Sequence, residues 1–265
     1  EARRNKLVGQ WAAGLLGKSG ADAEAYAKSV VAADFEKAGD SDVFAKVRRD
    51  FDAAGVDQSD HQIRRTMDEL MQTAMTQIQQ IASTFVADIP NLNGLNASEV
   101  DSIAAQARTA LQEVAGLLDT QDGSNYVFGG QDSANPPVPS PDDILSSGFY
   151  TQINVAVSGL SSNGATATAA ATLAIASSNA AGTSPFSAYM SQPTSSISPP
   201  VVQTGEGGTV QTGLLASANS VAVSSGTSTT GSYMRDLMRA LATLGSLSSS
   251  QVNDTGFAAL VQDTG

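Results

Sequence analysis

No cysteine occurs in this chain of 265 residues, and histidine occurs once, as His61. Disulfides, thiolate zinc sites and cysteine nucleophiles are thereby excluded, and a multi-histidine metal centre has no ligands. Aromatic residues are sparse at 5%, with a single tryptophan, Trp11. No run approaches the roughly 20 apolar residues that span a bilayer, and no apolar signal segment opens the chain, so membrane insertion is not expected. Positive charge is scarce too: 14 Lys+Arg stand against 26 Asp+Glu, giving a net charge of -12 and a pI near 4.3. Such a surface repels phosphate backbones, and the longest basic runs are pairs, so nucleic acid is not an expected partner.

What is present falls into two chemical styles that meet near residue 70. Residues 1–69 hold 11 of the 14 basic and 13 of the 26 acidic residues, leaving 3 basic and 13 acidic for residues 70–265. All five lysines (Lys6, Lys18, Lys28, Lys37 and Lys46) lie in the first part. The second part is dominated by Ala, Ser, Thr, Gly, Gln and Asn. A shift of this size marks a domain boundary, although no linker separates the parts and the helical pattern runs through the join. The start at Glu1 and an end inside an apparent helix point to a chain trimmed at both ends.

The first part predicts four helices. Leu7, Trp11, Leu15 and Leu16 share one face before Gly17 and Gly20. Ala23, Tyr26, Ala27, Val30, Val31 and Phe35 share the next, with Gly39 at its end. Val43, Phe44, Val47 and Phe51 form the third stripe. The fourth helix opens at "SDHQIRRTMDELM", where Ser59 and Gln62 make a capping box. The expectation is a small four-helix module over residues 1–70. His61 falls in a first helical turn with no second ligand, and Asp40 and Asp42 lack the rest of a calcium loop, so neither is assigned chemistry.

The blocks "ARRNKLVGQWAA", "AEAYAKSVVAADFEKAGDSDVFAKVRRDF" and "GVDQSDHQIRRTMDEL" resemble the zeta subunit that inhibits the rotary ATP synthase of alphaproteobacteria. The resemblance covers residues 2 to about 70. It implies a four-helix cytoplasmic protein whose partner is the catalytic head of ATP synthase, acting without chemistry of its own. In that family the inhibitory segment precedes the "ARRNK" block, where this chain has almost no residues.

Beyond residue 70 the apolar residues Met71, Met75, Ile78, Ala82, Phe85 and Ile89 recur at spacings of four and three until Pro90. A second seam runs through Val100, Ile103, Ala107, Leu111, Val114 and Leu118. A third runs through Met234, Leu237 or Met238, Leu241 and Leu244, and a fourth begins at Phe257, Leu260 and Val261. Together they predict a helical rod over 71–130 and 231–265, with an ordinary globular helical core as the alternative. Between them, residues 131–230 are rich in Ser, Thr, Ala and Gly. "TQINVAV", "TVQTGL" and "NSVAVSS" alternate like short strands, which predicts a β-rich outer domain, with disorder as the alternative. "TGEGGT" has no following Lys-Ser/Thr and reads as a hairpin turn, not a phosphate loop. The sequons "NASE" and "NDTG" are not taken as sites.

The long helix running into "YVFGGQDSANPPV", and the stretch "VVQTGEGGTVQTGLLASANSV" followed by "YMRDLMRALATL", resemble flagellin and the flagellar hook-filament junction (hook-associated) proteins. The resemblance covers residues 71–265. It implies a mainly α chain with a β-rich insert that assembles with itself and other axial proteins into an extracellular flagellum. In that family "F-G-G" begins a β-hairpin beside the rod. Tyr126, Phe128, Gly129 and Gly130 are the expected hairpin residues. Met75, Ile78, Phe85, Val100, Ile103, Leu111, Leu118, Leu237 and Leu241 are the expected packing residues. The terminal helices that polymerise in that family have no counterpart here. No catalytic, cofactor-binding or metal-ligating residue is assigned, and no cofactor is expected. The main expectation is a structural component of the flagellar axis carrying an inhibitor-like module, because that style fills residues 70–265; the alternative is an ATP synthase inhibitor carrying the flagellin-like part as passenger. An engineered fusion, a mistaken join of two genes and a natural fusion each fit the seam near residue 70.

Overall fold

The computed structural model describes residues 2–33, 40–57, 60–88, 97–122, 125–193, 195–198, 201–204, 208–211, 214–217 and 228–264. Three helices open the chain: α1 (Ala2–Leu15), α2 (Gly20–Ala33) and α3 (Asp40–Ala54). They close on a small core of Ala12, Ala13, Tyr26, Val30, Val47 and Phe51, with the Trp11 ring edge-on to Phe51 at 5.5 Å. α1 and α2 approach closely because Gly9 lacks a side chain: a Cβ there would lie 2.6 Å from the Cα of Ala27. α1 stops at Gly17 (φ +71°), where Lys18 N–H donates to the Ala13 carbonyl at 2.8 Å. α3 stops the same way at Gly55 (φ +66°), with Val56 N–H on the Phe51 carbonyl at 2.9 Å. Both are left-handed caps that satisfy orphan carbonyls and that glycine adopts without strain. The side chains of Leu7, Val31, Phe35, Val43, Phe44, His61 and Met71 lie outside the described set, as do Ile89 and Pro90.

α4 (Asp60–Asp88) is a single helix of 29 residues, so the compositional break at residue 70 falls inside it. Its later side chains Ala74, Ile78 and Phe85 belong to a second, larger core. That core is organised by α5 (Ala97–Leu118) against α9 (Tyr233–Gly245). The pair runs antiparallel: Asp101 and Arg108 of α5 bond Ser249 N–H and the Gly245 carbonyl beyond and at the end of α9. β1 (Gln121–Asp122) and β2 (Asn125–Tyr126) form a short hairpin after α5, in register Gln121 to Tyr126.

Residues 131–230 depart from the β-rich expectation. Their described part holds three α-helices, α6 (Gly148–Ser158), α7 (Leu160–Asn163) and α8 (Ala165–Ser177), which span 28 residues against eight in strands. Its strands are β3 (Val201–Thr204) and β4 (Gly208–Gln211), paired antiparallel. Two physical reasons explain the difference. In "TQINVAV" the alternation of Ile153, Val155 and Val157 coincides with helical spacing. Ile153 and Val157 are buried four apart, while Val155 between them is 72% exposed. "ATATAAATLAIAS" is an alanine run, and alanine has the strongest helix propensity of any residue. The "TGEGGT" stretch does join two paired strands, and its residues 205–207 are outside the described set, as is "NSVAVSS". α10 (Phe257–Thr264) closes the large core through Phe257, Leu260 and Val261. No described helix is long and apolar enough to cross a membrane.

Candidate functional site

The packing residues expected from periodicity are gathered in one place. Ile78, Phe85, Val100, Leu111, Leu118, Leu237 and Leu241 are buried in the large core, and Met75 and Ile103 are half-buried against it. The aromatic-glycine stretch departs from expectation in detail. The β1–β2 hairpin ends at Tyr126, which is half-buried, so the Phe-Gly-Gly stretch follows the hairpin and does not begin it. Phe128 is fully buried, and Gly129 pairs as an isolated antiparallel bridge with Leu215. Gly130 has φ +62°, and a Cβ there would meet Leu215 Cδ2 at 2.5 Å and the Ser198 carbonyl at 3.0 Å. The glycines therefore turn the chain under Leu215, which explains why the hairpin lies before them.

Sequence periodicity missed the polar residues that lock this core. Arg235 and Arg239 sit four apart on α9, on the same helix as the buried leucines, and both are buried. Arg235 donates to the carbonyls of Ser217 (3.0 Å), Ala176 (2.9 Å) and Ser178 (3.3 Å) and to Asn179 Oδ1 (2.7 Å). Its guanidinium lies 5.0 Å from the Phe186 ring centre, and burial lowers its pKa. Arg239 donates to Thr172 Oγ1, to the Ser228 and Ala169 carbonyls, and to Asp263 at 3.2 Å. These cations tie α9 to α8, to α10 and to the backbone at Ser217 and Ser228. The detectable signal was the "MRDLMRAL" spacing itself, two arginines placed within an otherwise apolar seam.

At the end of α5 the Asp119 carboxylate accepts the Val138 N–H at 2.8 Å. Burial pushes its pKa up to about 7, and the Val138 hydrogen bond only partly opposes this. A cleft of about 350 Å³ opens between α5, α6 and the end of α9, lined by Arg108, Asn154, Ser158, Ser248 and Gln251 among others. Its polar groups already serve one another. Arg108 and the Tyr150 hydroxyl both donate to the Gly245 carbonyl, at 2.7 and 2.8 Å, and Gln251 donates to the Val157 carbonyl at 2.7 Å. Among the described residues no cluster of three or more His, Cys, Asp or Glu could hold a metal.

The first three helices carry a different arrangement, a charged cluster around one ring. Asp50 on α3 accepts the Tyr26 hydroxyl and the Lys46 ammonium, both at 2.8 Å, and Arg49 Nε lies 3.8 Å away. Lys46 and Lys18 lie 5.2 and 5.9 Å from the Tyr26 ring centre. Burial raises the Tyr26 pKa, and the Asp50 acceptor raises it further. Burial alone would push Asp50 up, but the hydrogen bonds from Lys46 and Tyr26 outweigh it and hold the carboxyl below its ordinary value. Arg48 is occupied separately by Asp52 at 2.6 Å.

A model of the ATPase inhibitor subunit zeta family matches residues 1–77. The match takes in α1 to α3 and the first part of α4, and ends seven residues beyond the compositional break. No curated protein and no solved structure matches the chain, and nothing in the comparisons supports a flagellar likeness for the remainder. The family-model match is confined to residues 1–77.

Proposed function

We propose that residues 1–77 are a regulatory binding module that docks on the catalytic head of a rotary ATP synthase and restrains ATP hydrolysis. On this reading α1, α2, α3 and the first half of α4 close as a four-helix unit. Residues 78–265 are then a covalently attached passenger domain, and the module works on the cytoplasmic side, where the catalytic head resides. The observation that carries the reading is the zeta family match over 1–77. The separate small core of that segment is in keeping with it, since a module with its own core can present a surface of its own. The action is binding and not chemistry.

Titrating the full chain into purified ATP synthase head tests this. Dose-dependent loss of hydrolysis supports it, and unchanged hydrolysis at saturating chain with no co-elution overturns it. A second reading, a structural role in the flagellar axis for residues 78–265, rests only on the resemblance of the "YVFGGQDSANPPV" and "VVQTGEGGTVQTGLLASANSV" stretches. Co-sedimentation of the chain with flagellar filaments or hook proteins tests that role, and its failure alongside successful inhibition leaves the first reading alone.

A further inference from the structure

We propose that the cleft between α5, α6 and the end of α9 is a binding site for a small hydroxylated monocarboxylate, held by Arg108, Asn154 and Ser158. The inference goes beyond the reading of residues 1–77 and is independent of it, since every lining residue lies outside that segment. The bonds made inside the cleft leave part of its capacity unspent. Arg108 donates to the Gly245 carbonyl through Nη1 alone, and among the described residues no carboxylate pairs with it. Its Nε–Nη2 edge presents two parallel N–H donors, the spacing that grips both oxygens of a carboxylate. That edge has no acceptor among the described residues and is open to solvent. Asn154 and Ser158 stand one turn apart on α6 in the cleft wall, and neither side chain makes a hydrogen bond among the described residues. A Cβ at Gly245 would lie 3.0 Å from Arg108 Cγ, so the missing side chain lets the arginine stem lie against the end of α9, where the carbonyl tether holds it.

Selection is by contact and not by long-range field, because residues 70–265 hold 3 basic against 13 acidic residues and do not draw anions from a distance. Among the described residues lining the cleft, Arg108 is the one that carries a charge. A single guanidinium balances a single negative charge. A second charge, as on a phosphate monoester, would face the carbonyl end of α9 with no second cation to offset it. It would also face the Asp101 carboxylate, which accepts the Ser249 N–H beside the cleft. The ligand is therefore a monoanion. Leu247 is the one aliphatic residue of a wall otherwise rich in serine, so hydroxyl groups and not hydrocarbon complement it. The volume of about 350 Å³ is at the small end of ligand pockets and suits a molecule the size of a sugar acid.

The test titrates D-gluconate into the full chain and follows the Arg108 Nε–H and the α6 amides by heteronuclear NMR. Saturable shifts with a Kd on the order of 1 mM are expected from one bidentate pair and two neutral hydrogen bonds. Sorbitol, which lacks the carboxylate, and inorganic phosphate should each bind at least about tenfold more weakly. Acetate and N-acetyl-glutamate amide, a free and a peptide-like carboxylate without hydroxyls, should bind about fivefold more weakly. Arg108→Gln should lose at least about tenfold, read on the α6 amides, with circular dichroism as the check on folding. Asn154→Ala/Ser158→Ala removes no hydrogen bond of the described fold, so it stays informative even if Arg108→Gln unfolds. It should weaken gluconate about fivefold and leave acetate unchanged. Four outcomes overturn the proposal: no saturable shift with gluconate; phosphate or sorbitol binding as tightly as gluconate; gluconate binding that neither variant weakens; or the glutamate amide binding more tightly than gluconate, which would make the cleft a seat for a protein side chain.

Discussion

Asp119 shows how one side chain sets a pH dependence. Its folded pKa of about 7 lies above the ordinary carboxylate value, so between about pH 4 and 7 the folded chain keeps a proton that the unfolded chain has lost. Stability contributed by this group therefore falls as pH rises through that window and is constant above it, by up to about 4 kcal/mol in all. Asp119→Asn keeps an oxygen to accept the Val138 N–H and removes the charge. It should raise the melting temperature at pH 8 and make no difference at pH 4, measured by thermal unfolding at both values; equal shifts at both would refute the account. Gly130 is the complementary case, where the backbone and not a charge is decisive. Gly130→Ala combines a positive φ with a Cβ 2.5 Å from Leu215 Cδ2, and should cost about 2–4 kcal/mol in urea denaturation. Arg235→Ala leaves the carbonyls of Ser217, Ala176 and Ser178 without their buried donor. A loss of about 3 kcal/mol or more is expected by the same measurement.

At the scale of elements, α6 carries the sharpest test, because strand and helix make opposite demands on the same three side chains. In a strand Ile153, Val155 and Val157 would share a face. In α6 Val155 points outward at 72% exposure while Ile153 and Val157 are fully buried. Val155→Asp should change stability by no more than about 0.5 kcal/mol, whereas Ile153→Ala should cost about 2–5 kcal/mol. Equal penalties in chemical denaturation would return the segment to a strand. The helices α5 and α9 were legible in advance because Val100, Leu111, Leu118, Leu237 and Leu241 repeat over several turns. α6 and α8 were not, since a three-residue alternation of apolar side chains fits either period and an alanine run carries no amphipathic stripe.

Among the described residues there are two cores, one built from α1 to α3 and one that takes in the later part of α4 and α5 to α10, with α4 continuous between them. Separate cores imply separable stability. Phe51→Ala should raise amide exchange across α1, α2 and α3 and leave α5 and α9 protected, and Leu111→Ala should do the reverse. Hydrogen exchange read by mass spectrometry decides this, and uniform loosening in either variant would show that α4 couples the cores into one unit.

By itself the sequence determined the chemical exclusions, the long helical seams, the two-style composition and the zeta-like blocks, because each is local in the chain or a sum over it. Only the tertiary structure decided three things. It made residues 148–177 helical and not β. It placed the glycine turn of Phe128-Gly129-Gly130 after the hairpin, under Leu215. It drew Lys18, Tyr26, Lys46, Arg49 and Asp50 together from the turn after α1, the middle of α2 and the middle of α3. The reason is common to all three: each depends on which distant segment lies opposite, and no periodicity in a linear chain encodes that.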